Sequence, residues 1–424
     1  EACVLSGHIH YLSRTDFQLS YSDVMGSCLT VKIFFIVAVV LFSVHYSKTD
    51  HDARALHKIA DKIVNFTAKV GKQFFYQFYG RNNSVVFSGM SIFSMLSRIM
   101  SVSSPLVEND IREALDLHDY TTQAVCTSID RLLGVDYCFH DDDFVMMNQH
   151  IMYYDPNLFI NHKLSQNSCF DGRTRAVDFN QRYDLRESVN RWQDMLPPHY
   201  DHPYLVSLLQ PVTKFLFLDK IAYTPLIDIG YSSFGPIKFK DIDQEVVEVS
   251  AMKKSGPFFV SGSENMDYIM IRDDLKGSRY SLVFIFPHSS TNSSRMNILD
   301  TFSTDTFTQL LMTALTNNFM VNKTLILPEL SIDTYLDLKN ILGNFCLFSL
   351  FSREDPMNQM FGEHHVIEEL PYSESLHFSG TSGSQAQDTE IPNEIVITQP
   401  FWFIIADRTY GIPVVTSLYW GTPK

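Results

Sequence analysis

No Gly-x-Ser-x-Gly elbow, Gly-x-Gly-x-x-Gly turn, phosphate loop or His-Glu-x-x-His helix occurs in the chain. Each of these motifs works through fixed geometry: a strained nucleophile, a pyrophosphate cradle, paired zinc ligands. Their joint absence removes the usual marks of hydrolases, nucleotide enzymes and zinc proteases. Cations are in deficit too: 33 Lys and Arg against 48 Asp and Glu leave a net charge of −15. That balance argues against nucleic acid, whose phosphates require clustered Lys and Arg. Cysteine is sparse, 6 in 424 residues, so disulfides do not define the fold of so long a chain.

What is present is ordinary globular material, 45% hydrophobic and 19% charged, enough to bury a large core. The N-terminus is read separately. Residues 1–24 read as translated leader. Met25, Lys32 and the apolar run Ile33 to Val44 read as a signal peptide over 25–47, because a spanning helix needs roughly 20 apolar residues. A secreted, extracellular chain with no membrane attachment after cleavage is expected, with one domain over 48–424. Its cysteines are Cys126, Cys138, Cys169 and Cys346, which allow three pairings that sequence does not choose between. Sequons at Asn65, Asn82, Asn292 and Asn322 fit the same address.

Periodicity supplies the elements. Leu56, Ile59, Ile63, Phe66, Val70, Phe74 and Phe78 predict a long amphipathic helix over Asp52 to Phe78. Helices are also predicted at Ser91–Met100, Glu108–Leu117, Asn157–Cys169, Leu185–Met195, Arg295–Phe302, Thr304–Thr316 and Thr334–Leu342. Strands are predicted at Val85–Ser88, Phe144–Tyr153, Phe215–Tyr223, Glu245–Met252, Pro257–Val260, Tyr268–Arg272, Tyr280–Phe286 and Asn322–Leu327. Helices come mainly first and strands later, which points to an α+β fold.

Clusters that mimic metal sites read as solvated polar loops: His364-His365 with Glu368-Glu369, His199 with His202, and His140 with Asp141 to Asp143. No metal or cofactor is expected. Arg54, Lys58, Lys62 and Lys69 share one side of the first helix. Asp52 and Asp61 dilute them, so a solvated face is favoured over a polysaccharide site. No nucleophile–base pair emerges, and catalysis is not expected.

The conspicuous stretch is Gly380 to Thr398, polar and almost free of large apolar residues until Ile395. Beyond it lie the apolar run Pro400 to Ala406 and a terminal segment, Ile412 to Lys424. Loops beyond about 12–15 residues are usually functional or disordered.

Several segments in order resemble the serpin family across nearly all of Asp52 to Lys424. They are Phe87-Ser-Gly-Met-Ser-Ile92, Ala176-Val-Asp-Phe179, Ser188-Val-Asn-Arg-Trp192, and Lys276-Gly277 through Ser281-Leu-Val-Phe-Ile-Phe-Pro287. Leu325-Ile-Leu-Pro-Glu-Leu-Ser-Ile332, Asp337-Leu-Lys-Asn-Ile-Leu342, Gln399-Pro-Phe-Trp-Phe-Ile404 and Trp420-Gly-Thr-Pro423 complete the series. The resemblance implies three sheets, about eight or nine helices and an exposed reactive loop near 380–398. It further implies that an attacking extracellular protease cleaves the loop, which then inserts as a new strand and stalls the acylated enzyme. A monomer is expected.

The same resemblance assigns roles. Gly380 and Thr381 start the hinge, with Gly383 and Ala386 among its small residues. Thr381, Gly383, Gln385 and Gln387 would face the core after insertion. An unpaired buried amide costs about 1–3 kcal/mol, so the glutamines are expected to blunt the driving force. Counting forward from Gly380 puts the scissile bond at Glu394-Ile395. Counting back from Phe401 puts it at Thr389-Glu390, a mismatch of roughly five residues or ~16 Å of extended chain. Ser88, Ser91 and Asn190 match the region that lets the large sheet open. Departures there are Asp219 for Asn, Leu370 for His, Ile227 for Trp, and Leu196 to Tyr200 where a Thr-x-Gly-Lys-Ile motif is usual. Phe378 stands where an acidic residue is usual. A family protein with weakened or lost trapping, acting as a carrier or interaction protein, is expected. A working suicide inhibitor cleaved within 389–395 is the alternative.

Overall fold

The structure is a computed structural model that describes residues 54–78, 84–133, 144–158, 161, 169, 173–181, 187–189, 214–225, 229–262, 267–275, 279–288, 304–351, 367, 370–381 and 394–421. For 144–150, 219–225, 304, 371, 373 and 375 it describes the backbone alone. The predicted helices over Asn157–Cys169, Leu185–Met195 and Arg295–Phe302 lie wholly or largely outside these residues.

The first helix, α1, covers 54–78, and Ile59, Ile63, Phe66, Val70, Phe74 and Phe78 all face the core. Strand β1 (Val85–Phe87) follows, then α2 (Gly89–Met100). A Cβ at Gly89 would overlap Thr67 of α1, so glycine lets the two helices touch there. Helix α3 (Pro105–Leu115) begins three residues before its predicted start. Ser104 caps it, Pro105 occupies its first turn, and Asp116 ends it in the left-handed region at φ 56°. Helix α4 (Thr122–Leu132) was not predicted.

Three sheets form among the described residues. The first runs β3 (Thr174–Ala176), β2 (Phe144–Tyr154), β4 (Phe215–Pro225). The second pairs β10 (Leu330–Asp337) with β11 (Pro371–Phe378), antiparallel. The third has nine strands: β1, then β14 (Ile412–Tyr419), β13 (Phe401–Asp407), β8 (Tyr280–Pro287), β7 (Tyr268–Asp274), β6 (Val246–Ser261), β9 (Met320–Pro328) and β12 (Glu394–Val396), with β5 (Ser232–Lys240) on β6. Helix α5 (Thr304–Thr316) falls where predicted, and a short α6 spans Lys339–Gly343. The fold is α+β, with Phe401 to Ala406 of the apolar run buried in β13 between β8 and β14. Leu56–Lys424 clusters as one unit, and among the described residues no helix is long and apolar enough to cross a membrane.

Two predicted elements differ. Thr334 to Asp337 is strand, not helix. Leu330, Ile332, Thr334 and Leu336 are buried while Ser331, Asp333 and Tyr335 are exposed, a period of two that overrides the helical spacing. The strands predicted at 245–252 and 257–260 are one strand, β6. Pairing to β9 holds it together, and on its other edge it passes from β5 to β7. Pro257, without an N–H to give, sits in that changeover.

Of the possible disulfides, Cys126–Cys169 forms, with Cα atoms 5.3 Å apart, and ties α4 to the chain after β2. Cys346 is exposed and unbridged. Cys138 lies outside the described residues.

Strand β11 carries an unexpected group. Tyr372, Glu374, Leu376 and Phe378 alternate onto its core face, opposite Leu336, Thr334, Ile332 and Leu330 of β10. The Tyr372 hydroxyl donates to Glu374 Oε2 (3.1 Å) and accepts the Ser88 N–H (2.6 Å). Burial pushes the Glu374 carboxyl up to about 7, with Tyr372 pulling it partly back.

Two outcomes follow from these contacts. The Cys126–Cys169 bridge spans a sequence separation of 43. Reduction, or Cys126→Ser, will lower the urea-unfolding free energy by about 4 kcal/mol, and an unchanged midpoint would rule out a stabilising bridge. Between about pH 4.5 and 7 the folded state holds a proton on Glu374 that the unfolded state has lost. Stability from this group therefore falls as pH rises through that window and levels off above it. Thermal melts from pH 4.5 to 8 will show Glu374→Gln losing that slope and gaining stability at pH 8. Parallel curves for the two proteins would contradict it.

Candidate functional site

The start of the conspicuous loop is clamped on three sides. The Thr381 N–H donates to the Tyr231 carbonyl (2.9 Å), and so does its hydroxyl (3.2 Å). Ser232 and Thr381 make a parallel bridge. The Gly380 N–H donates to Glu329 Oε1 (3.3 Å). A Cβ at Gly380 would overlap the backbone of Ser232 and Ser233, so only glycine passes here without a shift.

Beneath the clamp lies a polar cluster. The Tyr231 hydroxyl donates to Asp273 Oδ2 (3.0 Å), and Lys254 Nζ donates to both oxygens of Asp273 (2.9 and 2.7 Å). Tyr231 and Asp273 are 1% and 2% exposed, so the contacts are shielded from solvent screening. Burial raises the Asp273 carboxyl, against the pull of Lys254 and then Tyr231. Burial, then Asp273, holds the Tyr231 hydroxyl well above its ordinary range. Phe378 stacks its ring edge on Tyr231 at 5.0 Å and lies 5.2 Å from Phe403. At this hinge an aromatic contact therefore occupies the position where the resemblance implies an acid.

The far end of the loop is pinned elsewhere. Glu394, Ile395 and Val396 pair in parallel with Thr324, Leu325 and Ile326 of β9. The Ile397 N–H donates to Ile326 O (2.9 Å), and the Lys240 N–H donates to Thr398 O (2.8 Å). Ile395 packs against the main core. One candidate scissile pair, Glu394-Ile395, thus sits inside a strand. The other, Thr389-Glu390, lies outside the described residues with Gly383, Ala386, Gln385 and Gln387.

Of the sheet-opening residues, Ser88 is fully buried and caps α2, accepting the Ser91 N–H (3.1 Å) and donating to Val414 O (2.7 Å). Asp219 lies on β4 opposite His150 of β2. Asn190, Ile227 and Leu196 to Tyr200 lie outside the described residues. Leu370 is buried, and its N–H donates to Asp337 Oδ1 (3.0 Å). No ladder joins β4 to β11 among the described residues.

Other predicted sites are dispersed. Asn322 is exposed on β9. Asn65 is half-buried in α1, and its sequon partner Thr67 is fully buried with its hydroxyl donating to Ile63 O (2.8 Å). Asn82 and Asn292 lie outside the described residues, as do the His140, His199 and His364 clusters. Among the described residues no group of His, Cys, Asp and Glu forms a metal-ligand set. Lys62 of the cationic stripe is paired with Asp116.

Sequence reasoning missed Glu374, Tyr372, Glu329 and the Tyr231–Asp273–Lys254 cluster. The Tyr-x-Glu-x-Leu-x-Phe alternation of 372–378 was the available signal for a glutamate on the core face. The cluster joins residues far apart in sequence, and pattern reading had no access to it.

Known proteins resemble this arrangement. Cattle (Bos taurus) alpha-1-antiproteinase is 21% identical over 86% of this chain and 88% of its own length. The structure of native protease nexin-1 with heparin superposes with a TM-score of 0.72 at 14% identity, covering 87% of this chain and 100% of that one. Human glycosylated kallistatin gives 0.71 at 14% identity, covering 87% and 99%. The family model described as serpin (serine protease inhibitor) matches residues 63–417. This chain belongs to the serpin family, a family of protease inhibitors.

Proposed function

We propose that this serpin is a secreted protein whose loop is cut by an extracellular serine or cysteine protease at or near Thr389-Glu390. In this reading the acylated protease is released more often than trapped, and the protein acts mainly as a carrier or interaction protein. The observation that carries the reading is the pinning of Glu394 to Val396 on β9. A protease seats its substrate as an extended strand, and a bond inside β12 would first have to be stripped from its partner and from the core. Cleavage is therefore confined to 382–393.

A cut after Thr389 leaves 381–389 as the inserting arm, about 30 Å when extended. That is roughly five residues shorter than the family spacing, so a protease attached to its end travels ~16 Å less. Secretion is supported by the Cys126–Cys169 bridge, which persists only in an oxidising compartment, and by the leader-like 25–47 segment. A working suicide inhibitor is the second reading. The fitted hinge favours it, since Gly380 and Thr381 keep their resemblance to the family and their backbone contacts.

Incubation of the mature protein with trypsin-, elastase-, chymotrypsin- and Glu-specific proteases separates the two. Denaturing gels and mass spectrometry will show a fragment beginning at Glu390 and no covalent complex. A complex that survives denaturation would overturn the first reading in favour of the second.

A further inference from the structure

Thr381 hangs on a single carbonyl. Its N–H and its hydroxyl both reach the Tyr231 oxygen, at 2.9 and 3.2 Å. The hold on Thr381 is therefore as firm as the hold on Tyr231. The chain enters Tyr231 from Gly230 at φ 81°, a left-handed turn that glycine takes without strain. The ladder between β5 and β6 begins one residue later, with Ser232 opposite Lys253. Tyr231 thus lies just outside the sheet, and its side chain must do what a ladder would do.

Three contacts fix that side chain. The hydroxyl donates to Asp273 Oδ2, the ring meets the Phe378 ring edge to face, and Lys254 Nζ lies 5.2 Å from the ring centroid. The Lys254 stem also runs beside the turn, with its Cε 3.5 Å from where a Cβ of Gly230 would sit. Lys254 therefore touches the turn, the ring and both oxygens of the carboxylate. Asp273 is buried, and its neighbour Asp274 carries the same sign, so its charge is offset by Lys254 and the Tyr231 hydroxyl. A buried carboxylate that loses its cation is left uncompensated and does not keep its place.

We propose that Lys254, Asp273 and Tyr231 are positioning residues for the loop: the ion pair fixes the tyrosine, and the tyrosine carbonyl sets how firmly Thr381 is anchored. The bonds at Thr381 are local and open without unfolding the domain, and the charged link beneath them keeps the open fraction small. Opening at this end frees Gly380 and Thr381, about 7 Å of extended chain. The far end offers no such slack, because Glu394 to Val396 are paired to β9 and Ile395 packs on the core. A protease that needs extended chain gains it at the first anchor, a consequence that rests on the reading that the loop is cut within 382–393. The anchoring itself depends on no cut.

The test is amide hydrogen exchange on the full mature chain, read by mass spectrometry at both anchors. Wild type, Tyr231→Phe and Lys254→Met are compared. Tyr231→Phe is the mild variant, since it keeps the ring, the Phe378 contact and the ion pair and removes only the hydroxyl. In both variants the Gly380 and Thr381 amides will exchange about tenfold or more faster. The Ile397 amide, bound to Ile326 O at the far anchor, will keep its wild-type rate. Unchanged exchange at Thr381 in Tyr231→Phe would overturn the proposal. Equal acceleration at both anchors would also overturn it, since general loss of stability produces that pattern. If Lys254→Met does not fold, Tyr231→Phe decides alone. The same proteins incubated with the loop-cutting proteases will be cut faster than wild type. A wild-type cutting rate beside fast exchange at Thr381 would overturn control of cutting by this anchor. No cut within 382–393 in any of the proteins would sink the cleavage reading and leave the anchoring, read by exchange, in place.

Discussion

Backbone pairing fixes both ends of one stretch of chain, and it does so on different parts of the molecule. Thr381 is held by Tyr231 and Ser232, and Glu394 to Val396 are held by β9. Residues 382–393 must span the interval with what they have. Loop reach is set by residue number at about 3.3 Å each, so this constraint decides where a protease can cut and how far a cut end can travel.

The first anchor depends on close approach more than on strong bonds. Gly380 lies against the Ser232–Ser233 backbone where no side chain fits, and Glu329 takes its N–H. Tyr231 is fixed in turn by its hydroxyl on Asp273, itself held by Lys254. A buried polar chain of this kind is stable only when each member is satisfied. The second anchor rests on β9, whose Leu325 and Leu327 lie in the main core. One end of the loop is therefore tied by hydrogen bonds that a rearrangement can break singly. The other end is tied by a sheet with a packed apolar face.

The polar pair on β11 is the exception in its row. Tyr372 and Glu374 share the core face with Leu376 and Phe378. The Tyr372 hydroxyl donates to one oxygen of Glu374 and accepts the Ser88 N–H, which ties β11 to the start of α2. Burial raises the proton affinity of Glu374, and the bond from Tyr372 offsets part of that rise.

Much of the fold was legible in the sequence. The long first helix was visible because it carries a repeat of one period over enough residues to outvote local noise. The C-terminal strand β13 was visible as an unbroken apolar run, the mark of a strand buried on both faces. The ordered series of serpin-like segments was visible as local motifs, each a short string of neighbours in the chain. What tertiary structure alone decided was pairing. Thr334 to Asp337 became strand because β11 lay beside it, and β6 ran unbroken through Gly256 and Pro257 because β9 paired along it. Cys126 took Cys169 as its partner, Asp273 met Tyr231, and Glu394 entered a strand. Period and composition are properties of neighbours in the chain. Partners brought together across tens or hundreds of residues are chosen only by packing.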